Sequence, residues 1–171
     1  TLRVLPKNLR EPIGLAYLLA RAADTIADHK HSGLRGSRLE GLLTLRAQVA
    51  GSADLAILQE LAAKSVDTLS SPKDRALFSS LVESFSMLES LYPFDRGQVR
   101  WVVGTLTEGM EMDLGVFPGQ DARHLTAFAT AADLDRYAYL VAGCVGEFWT
   151  NVTAAHEPSL SHWDTAEMSS K

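Results

Sequence analysis

Apolar residues recur at intervals of three and four along almost the whole chain, and β-branched alternation is scarce. That pattern predicts helices throughout, and the dominance of Ala and Leu adds propensity in the same direction. After the break at Pro6, a helix is expected over Asn8–Asp28, with Leu9, Ile13, Ala16, Tyr17, Ala20 and Ala23 as its buried stripe. The segment HKHSGLRGS has two glycines and no period, so it is read as a loop. Helices over Arg38–Ala50 and Ala53–Leu69 follow. Ser71-Pro72 suits a helix start, since Ser caps and Pro fits the first position. That helix places Ala76, Leu77, Leu81, Phe85 and Leu88 on one side and ends at Tyr92-Pro93. Asp95 is the expected cap of the next, which runs to about Asp113, and GVFPGQD is a loop. Thr130 with Asp133 forms a capping pair that opens a long helix from Ala131 to about His156. The opening TLRVL reads as a helix tail, and WDTAEMSSK as the first turns of another helix capped by Asp164. Both ends lie inside helical patterns, as expected for part of a larger all-α fold.

Composition narrows the class. The chain has 171 residues, 46% hydrophobic and 22% charged, enough for one core. Its formal charge of −5 and the lack of a dense basic stripe argue against nucleic-acid binding. The single cysteine, Cys144, excludes an internal disulfide and a Cys-based zinc cage. Arg21, Asp24 and Asp28 interrupt the best apolar stretch before it reaches the length of a bilayer span. TLRVLPKNLR contains no leader-like apolar core, so a soluble, cytoplasmic chain is expected.

Three segments carry candidate chemistry. In RAADTIAD, Asp24 and Asp28 are four apart and share a helix face. Like charges there repel unless a cation lies between them, and the C-terminal dipole disfavours them further. Oxygen ligands so arranged suit Mg²⁺, which takes one or two carboxylates, waters and substrate phosphates. Arg21, three residues earlier, would share a phosphorylated ligand with the metal. A solvated acidic helix end is the competing explanation, because DxxxD is short and often accidental. In EGMEMDL, three acids crowd a helix end while Met110 lies on another side; solvated acids and a core Met explain it equally well. In RYAYLVAGCVGEFWTNV, Ala142, Gly143, Cys144 and Gly146 interrupt a helical run with small residues. Interior helical Gly costs about 0.5–1 kcal/mol relative to Ala, so a close helix or a ligand against the backbone is implied. Tyr137 lies two turns before Cys144 on the same side, where helix packing is the simpler role. His29, His31, His124, His156 and His162 lack metal-ligand spacing, and Cys144 sits among apolar residues as inert filler.

Together, RVLPKNLREPIGLAYLLARAADTIAD, EGMEMDL and DLDRYAYLVAGCVGEFWT resemble, in order and spacing, the squalene and phytoene synthase family. The form VAGCVGEFWT is most similar to bacterial squalene-synthase-like members. The resemblance implies an all-α, isoprenoid-synthase-type helical bundle around a central cavity, incomplete in this chain. It implies head-to-head joining of two prenyl diphosphates with Mg²⁺ through a cyclopropyl (presqualene) diphosphate, with hydride from NADPH where the product is squalene. Carried over to this chain, Asp24 and Asp28 hold Mg²⁺ and diphosphate, Arg21 contacts the diphosphate, and Tyr17 is the aromatic one turn earlier. Tyr137 handles a proton or guides the cation; Val141, Ala142, Val145, Gly146 and Trp149 line the prenyl tunnel, and Asp113 is a further polar site residue.

The resemblance covers residues 1–171 as the N-terminal half of such a domain. The family's second aspartate-rich motif, of Asn-x-x-Arg-Asp type, and its Ser-Arg-x-Phe segment are not found in the chain. The leading expectation is therefore one subunit of a split enzyme that makes squalene from farnesyl diphosphate, hetero-oligomeric with a chain carrying the second motif. Phytoene, dehydrosqualene or hydroxysqualene synthesis are alternatives, as are a non-catalytic assembly subunit and a piece of a longer polypeptide. Peripheral membrane contact stays open, because such products are water-insoluble hydrocarbons.

Overall fold

The computed structural model describes residues 2–28, 35–117 and 125–160. It is all-α among those residues: α1 (Lys7–Asp28), α2 (Arg35–Ala50), α3 (Leu55–Val66), α4 (Pro72–Ser79), α5 (Leu81–Ser90), α6 (Pro93–Val116), α7 (Ala131–Ala138) and α8 (Cys144–His156). Short 3₁₀ turns cover Leu2–Val4 and Pro158–Leu160, and a π turn, Tyr139–Gly143, joins α7 to α8. His29, His31, His124, His162 and the helix start expected at Asp164 lie outside the described residues.

Local chemistry sets several boundaries. Asp54 caps α3 by accepting from the amides of Ala56 and Ile57. Ser71 caps α4 by accepting from the Asp74 amide, with Pro72 behind it. Thr130 and Asp133 form the reciprocal capping box expected for α7. Asp95, in contrast, is not a cap. The helix starts at Pro93, and Asp95 is buried inside its first turn.

The helix expected from Ser71 to Tyr92 is two helices. Ser80 leaves helical geometry at φ −97°, ψ 9°, and its hydroxyl donates to the Leu77 carbonyl at 2.9 Å. The chain turns there from α4 into α5. The bend brings Phe78 into the core with Leu81, Phe85 and Leu88, whereas Ala76 stays exposed.

The core lies around α1 and α6, which pack against each other, with α2 and α8 also against α6. Leu19, Ala22 and Ala23 of α1 meet Leu42, Leu45 and Val49 of α2 and Val99 and Val103 of α6 in one buried cluster. The spacings three, four and seven put each set on one helical face. Tyr17, expected in the buried stripe of α1, is instead 62% exposed at the edge of that stripe.

At one end of the bundle, His156 Nε2 lies 2.7 and 2.9 Å from the two carboxylate oxygens of Asp95, which is 3% exposed. Asn8 Nδ2 donates to the His156 carbonyl at 2.7 Å. Three helix ends, of α1, α6 and α8, are tied there.

Candidate active site

The exposed side of α1 reads Tyr17, Arg21, Asp24, Asp28, spaced four, three and four. This places them along one face in successive turns. Tyr17 is at the mouth of a cavity of about 770 Å³ between α1, α6 and α8. The walls are Ile13, Ala16 and Ala20 from α1, Val102 and Leu106 from α6, and Val145, Phe148 and Trp149 from α8. Leu2 and Arg3 close one side. The lining is overwhelmingly apolar, and the volume falls in the range typical of pockets for small organic ligands.

One turn beyond Tyr17, Arg21 Nη1 donates to Asp24 Oδ2 at 2.6 Å. Its Nη2 donates to Asp74 Oδ1 of α4 at 3.3 Å. Burial opposes the Arg21 charge, yet the hydrogen bond to Asp74 and the nearby Asp24 raise its pKa above the ordinary arginine value. Asp28 is exposed one turn past Asp24. Among the described residues no group of three or more His, Cys, Asp or Glu is placed to hold a metal. The donor set on α1 is thus two carboxylates one turn apart beside an arginine. It suits an ion such as Mg²⁺ that keeps waters and phosphate oxygens as most of its ligands.

The π turn explains part of the small-residue stretch and introduces a glycine that sequence reasoning passed over. A Cβ on Gly109 of α6 would lie 2.7 Å from Val141 Cγ1 and 3.2 Å from the Leu140 carbonyl carbon. Gly109 therefore lets the π turn lie directly on α6. An isolated glycine within a helical run is a signal for such an approach. Val141 is used in this contact rather than in the cavity. Gly143 accommodates the Tyr139 ring, whose edge would be 3.1 Å from an added Cβ. Gly146 faces open space, and with Ala142 and Trp149 it forms an exposed stripe on the α8 side. Of the residues expected to line a tunnel, Val145 and Trp149 border the cavity.

Tyr137 is half-buried, and its hydroxyl donates to Asp113 Oδ1 at 3.1 Å. Its ring lies 5.0 Å from Phe128 and 6.4 Å, edge-on, from Phe117. Burial and the bond to Asp113 raise its pKa, so the hydroxyl keeps its proton at neutral pH. The sequence linked Tyr137 and Asp113 to one site only through the family resemblance; the structure makes them direct partners. Glu111 of the same acidic segment pairs with Arg46 of α2 at 2.7 Å and ties α2 to α6. Cys144 is fully buried, and burial pushes its thiol up to about 11, so it is inert.

An all-α bundle with an apolar cavity, bordered on one helix by an arginine and two carboxylates, has the architecture of an isoprenoid-synthase-type fold. The chain belongs to the squalene/phytoene synthase family, whose model matches residues 1–169. Members of this family are prenyltransferases of isoprenoid biosynthesis. No curated protein matches the chain. Among the described residues no helix is long and apolar enough to cross a membrane.

Proposed function

We propose that the chain binds a prenyl diphosphate, with hydrocarbon in the cavity between α1, α6 and α8 and diphosphate at Arg21. The observation that carries this reading is the alignment along α1: the residue at the cavity mouth, Tyr17, is followed on the same face by Arg21, Asp24 and Asp28. An amphipathic ligand lying along that face meets apolar wall first and charge second. Asp24 and Asp28 would hold Mg²⁺, which supplies charge stabilisation to a departing diphosphate. Arg21 binds the same group through charge-assisted hydrogen bonds. The apolar walls exclude water from the allylic cation. For the Tyr137 hydroxyl, which donates to Asp113 and does not border the cavity, the proposed role is to hold or pass a proton.

The reaction proposed is head-to-head joining of two farnesyl diphosphates through presqualene diphosphate to squalene, with NADPH as hydride donor. A second chain, carrying the other aspartate-rich motif, completes the metal site in a hetero-oligomer. The exposed aromatic residues that border the cavity, Tyr17 and Trp149, support such a partner.

The test is to purify the complex through this chain after co-expression with its genomic neighbours, weigh it in native form, and assay it. A one-to-one heteromer converting farnesyl diphosphate to squalene with Mg²⁺ and NADPH is the expected result. Products from geranylgeranyl diphosphate would redirect the reading to phytoene synthesis. Hydroxysqualene or dehydrosqualene would redirect it to those activities. A heteromer whose turnover is unchanged by Asp24→Asn with Asp28→Asn would make this chain a non-catalytic assembly subunit.

A further inference from the structure

Asp74 belongs to no motif of the α1 face, yet it contacts Arg21 from outside α1. It comes from α4, 53 residues along the chain, and its carboxylate accepts from Arg21 Nη2 at 3.3 Å. The side chain of Asp74 is 19% exposed, against 44% for Arg21 and 42% for Asp24. Two features hold it in place. The Ser71 hydroxyl accepts from the Asp74 amide and fixes the first turn of α4. Phe78, one turn later on the same face, is 1% exposed and anchors α4 in the core.

The two carboxylates on Arg21 are therefore unlike. Asp24 is on the same helix, is nearly half exposed, and is the residue proposed to engage a cation. Its bond to Arg21 must be shared or broken when the cation binds. Asp74 is on a second helix, is less than half as exposed as Asp24, and is held by the Ser71 cap and the Phe78 anchor. We infer that Asp74 is a positioning residue: it holds the Arg21 guanidinium in the orientation that receives the diphosphate when Asp24 turns to the metal. The inference rests on the diphosphate-binding reading of Arg21. One guanidinium edge is tied to α4, and its remaining donors are left for phosphate oxygens. The negative charge of Asp74 by itself would weaken anion binding, so the two effects of removing it have opposite signs and can be told apart.

The experiment is a double-mutant cycle on the assembled complex, with calorimetric binding of inorganic pyrophosphate in Mg²⁺ as the readout and thermal midpoints as the folding control. Asp74→Asn should weaken pyrophosphate binding about five- to tenfold. In an Arg21→Gln background it should change binding less than about twofold, because it acts through Arg21. Asp74→Glu, which keeps the charge at the start of α4, should recover part of the loss. A purely structural role would lower the thermal midpoint and weaken binding equally in both backgrounds. Equal weakening, unchanged binding or tighter binding in Asp74→Asn overturns the positioning role while leaving the Arg21 site intact. If Arg21→Gln itself leaves pyrophosphate binding unchanged, the diphosphate site fails and the role of Asp74 falls with it.

Discussion

Two acid–base clusters, both built across helices, differ chiefly in burial. Arg21 with Asp24 and Asp74 lies on the open side of α1, and Asp95 with His156 lies at the closed end of the bundle. In the first, two of the three side chains are more than two-fifths exposed. In the second, the Asp95 side chain is buried and both its oxygens face the imidazole. Exposed pairs contribute little to stability, since water solvates the separated charges nearly as well. A buried carboxylate that loses its partner is left without solvent or hydrogen bonds. The open cluster can exchange its partners for ligand groups at small cost, and the closed one cannot. Availability to ligand, more than residue type, separates the two.

The largest contrast should appear in activity. Asp24→Asn with Asp28→Asn is expected to lower Mg²⁺-dependent turnover of the complex by about a thousandfold or more, while the urea midpoint moves little. A large loss of stability instead would mean that the open cluster is architectural. The converse substitution, His156→Ala, should cost about 2–3 kcal/mol in urea unfolding, because it strands the buried Asp95 carboxylate at the joint of three helices. A change below about 0.5 kcal/mol, the usual scale for exposed sites, would erase the distinction.

Gly109→Ala tests the contact between α6 and the π turn. The new methyl must displace Val141 and the Leu140 backbone, at a cost of about 1–3 kcal/mol from overpacking, partly offset by helix propensity. A net stabilisation would show that the turn yields freely. The smallest effect concerns Tyr139. Its hydroxyl donates to Glu147 at 2.8 Å, and that bond with partial burial and the Glu147 charge pushes its pKa up to about 12. The folded pKa is thus above the ordinary tyrosine value of 10.0. Its contribution to stability is complete below that ordinary value and is lost as pH rises through the folded one. An ultraviolet titration of the parent minus Tyr139→Phe should show a midpoint near 12; a midpoint near 10 would remove the Tyr139–Glu147 bond from the account.

The helical content, most helix positions and the caps at Ser71 and Thr130 follow from local rules, because periodicity, propensity and capping act within a few residues. The stripe Arg21–Asp24–Asp28 was legible for the same reason: one helix sets its spacing. The failures share an opposite cause. Ser80 divides an apolar period that looks continuous, and the period itself carries no mark of the break. Tyr17 matches the buried stripe by period but borders a cavity, since which side of α1 is covered depends on α6 and α8. Asp95 has the composition of a cap, yet its partner is 61 residues away.

From residue order alone came the family, the helices and the charged face of α1, all properties of short range or of recognisable motifs. The pairing of Asp74 with Arg21, of Tyr137 with Asp113 and of Gly109 with the π turn required the packed chain. Each joins residues more than twenty positions apart, and no local preference of either partner encodes the distance at which folding will place the other.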